Sequence, residues 1–280
     1  MPHALAADGT RLYYETHGRG EPLLLIAGQA SDHREWDAVR EDFEDAFQVI
    51  VYDHRGTGSS DKPRAPAYTT RGFAQDAIAL LDHLGLARAH AYGVSMGGRV
   101  GQWLGIDHGH RLGALVLGAT TPGNAHGVAR EPAITQAIQR GQWASLRHTL
   151  VSPEWMAANP DFGRRMDAMD RHPAPAFARR LHYQASEAHD SWDALPGIRV
   201  PTLVIHGAED PINPGANAGR LAARIPGAEL CLIEGGRHSF HEEFRAIASP
   251  AVRDFLQRHT GTAGAGRPAG ASSGDIRETR

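Results

Sequence analysis

The strongest constraint on this chain is the order of its apolar segments: strand-like runs alternate with helix-like stretches, and the alternation is interrupted once. Residues 4–7, 11–16 and 22–27 read as three short strands, with Asp8-Gly9 as the hairpin turn between the first two. A β-branched strand follows at 48–52, then a helix over 69–84. That helix carries Phe73, Ala77, Leu80, Leu81 and Leu84 at helical spacing, Thr69 or Thr70 as N-cap and Gly85 as terminator. Next come a strand at 88–94, a helix at 96–106 and a strand at 112–117. After the interruption come a strand at 202–206, a helix at 216–224, a strand at 229–233 and a closing helix at 242–259. This pattern predicts an α/β protein: a mostly parallel eight-stranded sheet with helices on both faces.

Between 122 and 195 the pattern is helical only, with segments at 134–141, 143–150, 153–158, 162–169 and 175–188. Because strands resume afterwards, this stretch is expected to be a helical cap over one end of the sheet, inserted into a core of residues 1–121 and 196–260. Residues 261–280 are too poor in apolar side chains to fold alone and are expected to form a disordered tail. The chain is 41% hydrophobic and 22% charged, ordinary for a globular protein, and its formal net charge of −3 leaves no footprint for nucleic acid. The one cysteine, Cys231, lies in an apolar run and reads as a small core residue. No apolar run approaches the roughly 18 residues of a membrane span, and the first residues lack a signal-peptide pattern, so a soluble cytoplasmic protein without a membrane partner is expected. The oligomeric state is not legible.

The residues that carry chemistry sit in the strand-to-helix turns. Gly93-Val94-Ser95-Met96-Gly97 is a G-x-S-x-G motif that follows a strand and opens a helix, the context of a nucleophile elbow. A serine hydroxyl needs a base, and the base needs an orienting acid. A carboxylate, Glu209 or Asp210, stands in the loop after strand 202–206, and His238 stands in the loop after strand 229–233. Loops at the carboxyl ends of parallel strands converge on one crevice.

With these three sites in the order serine, acid, histidine, the chain over residues 3–259 resembles the α/β-hydrolase superfamily, in its capped serine esterase branch. Residues 52–60 (Tyr-Asp-His-Arg-Gly-Thr-Gly-Ser-Ser) are similar to the family's turn after its fourth strand, and residues 201–207 to the run leading to its acid. Within the branch the chain is similar to the aclacinomycin methylesterase type, to cofactor-free haloperoxidase-like esterases and to enol-lactonases. The resemblance selects Asp210 as the acid. It also implies an oxyanion hole from the main-chain N–H groups of Met96 and Gln29, with Ala27 where the family usually has histidine.

The expected function is cleavage of a carboxylic ester or related acyl compound (thioester, lactone) through an acyl-enzyme on Ser95, with a small, largely apolar substrate and no cofactor. Rivals on the same fold are a carbon-carbon bond hydrolase, cyclase or perhydrolase of a biosynthetic pathway, or a ligand receptor. No metal is expected, since neither His238 with His241 nor His189 with Asp190 comes with the further ligands a closed site needs. Gly28, Trp155 and Tyr183 are candidate substrate contacts. Trp143, Met156, Met166, Met169 and Phe177 supply further cap surface that is equally suited to the cap's own core. Cap charges balance, which predicts no partner there for a strongly charged substrate.

Overall fold

The computed structural model describes residues 2–65, 67–171 and 174–261. Eight strands form one sheet in the order β1-β2-β4-β3-β5-β6-β7-β8. They are β1 (His3–Leu5), β2 (Arg11–His17), β3 (Glu21–Ile26), β4 (Phe47–Tyr52), β5 (Ala89–Val94), β6 (Leu112–Gly118), β7 (Thr202–Gly207) and β8 (Glu229–Ile233). The β1–β2 and β2–β4 pairings are antiparallel and the other five are parallel. Parallel neighbours need crossovers, supplied here by α1 (Thr70–His83), α2 (Met96–His108) and α8 (Ala216–Arg224) among others, while α10 (Arg245–Arg258) closes the chain. As expected of strands covered on both faces, β5 and β6 are buried throughout.

Side chains alternate between two cores. Leu24 and Ile26 of β3 face one with Phe73 and Leu80 of α1, Leu104 of α2 and Leu221 of α8. Leu23 and Leu25 face the other with Trp36, Phe43, and Val252 and Phe255 of α10. The chain leaves β3 toward β4 on one side and returns to β5 on the other, so the carboxyl ends of β3 and β5 flank the topological switch where crevices form.

Among the described residues five α-helices lie between β6 and β7: α3 (Pro132–Gln139), α4 (Arg147–Leu150), α5 (Pro153–Ala158), α6 (Pro160–Arg171) and α7 (Ala176–Glu187). The stretch expected as one helix over 143–150 is a 3-10 turn, Trp143–Leu146, followed by α4. The base of this insertion is tied by a bridge between Gly123 and Asp190 and by the Ser191 N–H donating to Pro122 O (3.1 Å). Buried side chains of α2 grip the same base. Arg99 donates to the Ser186 carbonyl and hydroxyl and to Thr121 Oγ1, and Gln102 donates to Thr121 O and accepts from Ser191.

Other differences from the sequence expectation have local causes. The closing helix breaks at Phe244 (φ −108°, ψ 33°) into α9 (Phe240–Glu243) and α10, which lets Phe240 and His241 bury beside Trp36 while α10 turns onto the sheet. Cys231 is half-buried, packed against the core from β8 at the edge of the sheet, while Leu230 and Leu232 on the other face of that strand are 46% and 44% exposed. Two 3-10 turns, His33–Trp36 and Arg40–Asp42, bridge β3 and β4 where no element is legible in the sequence. Apart from Gly261, the expected tail lies outside the described residues. Among the described residues no helix is long and apolar enough to cross a membrane.

Helix α2 approaches β3 so closely that a Cβ on Gly97 would stand 2.0 Å from Ile26 O and 2.7 Å from Ala27 O. Gly97→Ala is expected to cost about 2–4 kcal/mol and to lower the melting temperature by roughly 5–10 °C. Gly163→Ala, in α6 with nothing within 4 Å of the new Cβ, should instead stabilise by about 0.5–1 kcal/mol. Thermal melts of both variants against the wild type check the pair.

Candidate active site

Ser95 lies between the end of β5 and the first residue of α2, and its backbone takes φ 56°, ψ −118°. A non-glycine residue there is strained, and the surroundings hold it. The Ser95 N–H donates to Gly118 O (2.9 Å), while its carbonyl accepts from the Thr120 hydroxyl (2.8 Å) and from the Gly98 N–H (3.1 Å). Gly93 and Gly97 make the sharp turn possible, since a Cβ on Gly93 would meet Gly97 O at 2.2 Å. The side chain of Ser95 is half-buried rather than sealed in the core.

Asp210 and His238 are brought together by the loops after β7 and β8, with His238 Nδ1 2.8 Å from Asp210 Oδ2. The other oxygen of Asp210 accepts the N–H groups of Ile212 (2.8 Å) and Asn213 (2.9 Å). Burial pushes the Asp210 carboxyl up, but the charge of His238 and hydrogen bonds from His206 and His238 outweigh it and bring it down to about 2. An ionised acid therefore faces Nδ1, which fixes a proton on that nitrogen and leaves Nε2 as the basic one. The neighbour Glu209 makes no hydrogen bond or ion pair with His238 among the described residues. Ser95 and His238 line one cavity, and no hydrogen bond joins them among the described residues. Such contacts commonly tighten only once substrate is bound.

The loop after β3 is held at three points. His54 Nε2 donates to Ala27 O (3.1 Å), Gly28 N–H donates to Glu35 Oε2 (2.7 Å), and Ala30 N–H donates to His182 Nδ1 (3.2 Å). His182, on α7, also donates from Nε2 to Arg55 O (2.8 Å); burial holds its imidazole neutral, pushed down to about 3, as an accepting Nδ1 requires. With its neighbours so engaged, the Gln29 N–H has no acceptor among the described residues, and neither has the N–H of Met96. Gly28, Gln29 and Ser95 all line the cavity.

This cavity, of about 390 Å³, is roofed by the insertion. Trp143, Ala144 and Leu150 come from its first half, Met166 and Met169 from α6, and Arg147, Arg165 and Arg179 add charge. His238 N–H and Ser239 N–H donate to Thr149 O (3.3 Å) and Leu150 O (2.8 Å), so the insertion is pinned to the histidine loop itself.

Two candidate contacts fall elsewhere. Trp155 packs edge-on against Phe162 and lines a separate surface cleft with Asn159. Tyr183 packs against a small cluster of Ile138 and Leu146 from the insertion and Ile212 from the loop after β7. Helical spacing shows which residues share a face of an insertion helix but not which face meets the sheet. Two of the three arginines are spent on acids, Arg147 on Asp167 and Arg165 on Glu242.

Lining residues that the sequence did not reveal include Glu35 and His241. Glu35 stands in a 3-10 turn that sequence patterns do not show. Burial raises its carboxyl to about 7, with the Glu242 charge adding to this, against hydrogen bonds from Gly28 N–H and the Ser31 hydroxyl and the charge of His238. His241 is 5% exposed, its two ring nitrogens have no partner among the described residues, and burial keeps it neutral. A possible cation cluster, Asp32, His33 and Asp53, lies outside this cavity. Its groups are occupied: Asp53 accepts from the His33 ring (2.6 Å) and the Ser59 N–H (2.6 Å), and Asp32 holds Arg34 by two bonds. His189 is spent on Thr70 and Gln102.

The model of the alpha/beta hydrolase fold family matches residues 21–244. The chain belongs to this family. Among curated relatives of this α/β-hydrolase, a putative carbamate hydrolase RutD of Caulobacter sp. (strain K31) is 30% identical over 266 residues, covering 88% of this chain and 95% of the relative. A 3-oxoadipate enol-lactonase 2 of Acinetobacter baylyi is 29% identical over 266 residues, covering 91% and 96%. Among solved structures, the enol-lactonase from Burkholderia xenovorans LB400 superposes with a TM-score of 0.80 at 27% identity, covering 91% of this α/β-hydrolase and 100% of that chain.

The two perturbed carboxyls give opposite pH signatures. Glu35 keeps its proton in the folded chain from 4.5 to about 7, where the unfolded chain has lost it, so this residue makes stability decline across that window. Glu35→Gln should gain in melting temperature relative to the wild type as pH rises from about 5 to 8. Asp210 contributes stability that is present above its usual 3.8 and is lost as pH falls through about 2, so the penalty of Asp210→Asn should shrink in strong acid. Melts of the three proteins over a pH series check both signs.

Proposed function

We propose that this α/β-hydrolase cleaves a carboxylic ester, lactone or related acyl compound of a small molecule through an acyl-enzyme on Ser95. The observation that carries the reading is the 2.8 Å contact of His238 Nδ1 with an ionised, buried Asp210, in a cavity that also holds a serine on a strained strand-to-helix turn. The relatives' names, carbamate hydrolase and enol-lactonase, support chemistry at an acyl carbonyl.

In this mechanism His238 Nε2 accepts the Ser95 hydroxyl proton as Oγ attacks the carbonyl carbon, while Asp210 keeps the Nδ1 proton in place and stabilises the imidazolium. The negative oxygen of the tetrahedral intermediate is received by the main-chain N–H groups of Met96 and Gln29. Both donors are fixed before substrate arrives, one by the start of α2 and the other by the three anchors of its loop. Such preorganised donors typically contribute about 2.7–4 kcal/mol each to the barrier. The leaving oxygen takes the proton from His238 as the carbonyl–oxygen bond breaks. Water then gives a proton to His238 and attacks the acyl-enzyme, which releases the acid and restores the serine.

Because the triad acts as a unit, Ser95→Ala and His238→Ala should each lower kcat by about four orders of magnitude or more, and the double variant should be little worse than either. Steady-state kinetics with a nitrophenyl ester, together with labelling of Ser95 by a fluorophosphonate, check this. Single variants that each lose only a small factor, or additive losses, would refute the assignment.

A further inference from the structure

The arginines of the cavity are not equivalent. Arg34 is held by two bonds to Asp32 (2.9 and 2.6 Å), Arg147 pairs with Asp167 (2.6 Å), and Arg165 pairs with Glu242. Arg179, on α7, lines the same cavity and is half-buried, yet its guanidinium has no ion pair and no hydrogen bond among the described residues. The acids on its own helix and in the cavity wall are already engaged. Glu187 is bound by Arg130, Glu242 by Arg165, and Glu35 by Gly28 and Ser31.

A cation partly withdrawn from water without a counter-ion is balanced most directly by an anion that arrives with the ligand. The planar guanidinium matches a carboxylate by two parallel N–H donors, a geometry a lysine does not offer. Building on the acyl-hydrolase reading above, we infer that Arg179 is a specificity-determining residue that binds a free carboxylate on the substrate, which is therefore a half-ester or lactone of an acid bearing a second carboxyl group. The serine end of the cavity then holds the scissile carbonyl, and the insertion wall holds the anion. Trp143, Met166 and Met169 give the chain between them an apolar lining.

The test compares two nitrophenyl esters of equal length, the hemiglutarate and the pentanoate, on wild type, Arg179→Gln and Arg179→Lys. The wild type is expected to favour the hemiglutarate in kcat/KM by about tenfold or more, chiefly through KM. The ratio should fall to near one in Arg179→Gln and recover partly in Arg179→Lys. A second readout does not depend on turnover: glutarate should raise the melting temperature of Ser95→Ala and have no effect on Ser95→Ala carrying Arg179→Gln. A wild type without the preference, or an Arg179→Gln variant that keeps it, would overturn the inference. Inorganic phosphate stabilising Ser95→Ala as well as glutarate does would overturn the carboxylate assignment. If neither ester is turned over and Ser95 does not label with fluorophosphonate, the hydrolase reading fails separately, and the glutarate melting shift alone decides the role of Arg179.

Discussion

The contact on which the site depends is the approach of helix α2 to strand β3 through Gly97, where no side chain could stand between the helix and the Ile26 and Ala27 carbonyls. It fixes the start of α2 against the end of β3, and so fixes Ser95 against the loop at Gly28 and Gln29. The strained backbone of Ser95 is affordable only because the sheet on one side and Thr120 on the other hold its peptide groups. From the same helix, Arg99 and Gln102 reach the base of the insertion. The candidate nucleophile thus caps the helix that grips the base of the insertion.

Buried histidines do much of the positioning. His54 and His182, whose rings pack edge-on 6.1 Å apart, both hold the loop after β3, and both stay neutral because burial disfavours their charged form. His182 belongs to the insertion, so the loop that offers the Gln29 N–H is anchored partly by the roof. A shift of α7 would move that N–H and Arg179 together. In the proposed enzyme, substrate binding at Arg179 and oxyanion stabilisation at Gln29 would both depend on this one helix.

The electrostatics of the cavity divide along the same line. On the sheet side, Asp210 is kept ionised by donors that overcome its burial, whereas Glu35, with fewer donors and a neighbouring acid, is kept protonated close to neutral pH. A buried Asp210 and a half-buried Glu35 in one region thus take opposite charge states from their surroundings. On the insertion side the cations outnumber the acids left to balance them.

The sequence by itself determined the sheet, the crossovers, the interruption and the three loops that carry Ser95, Asp210 and His238. These features rest on local periodicity and on turns whose residues have no alternative, such as the glycines around Ser95. It did not determine which face of each insertion helix meets the cavity, so Trp155 and Tyr183 read like Trp143 and Met166 although they pack elsewhere. Nor did it reveal Glu35, His182 or the unpaired Arg179. An acid or an arginine in a helical stretch looks like a solvated surface residue until the neighbours that bury it, or fail to pair with it, are in place. Those neighbours come from segments about 150 residues away for His182 and Ala30, and only tertiary structure brings them together.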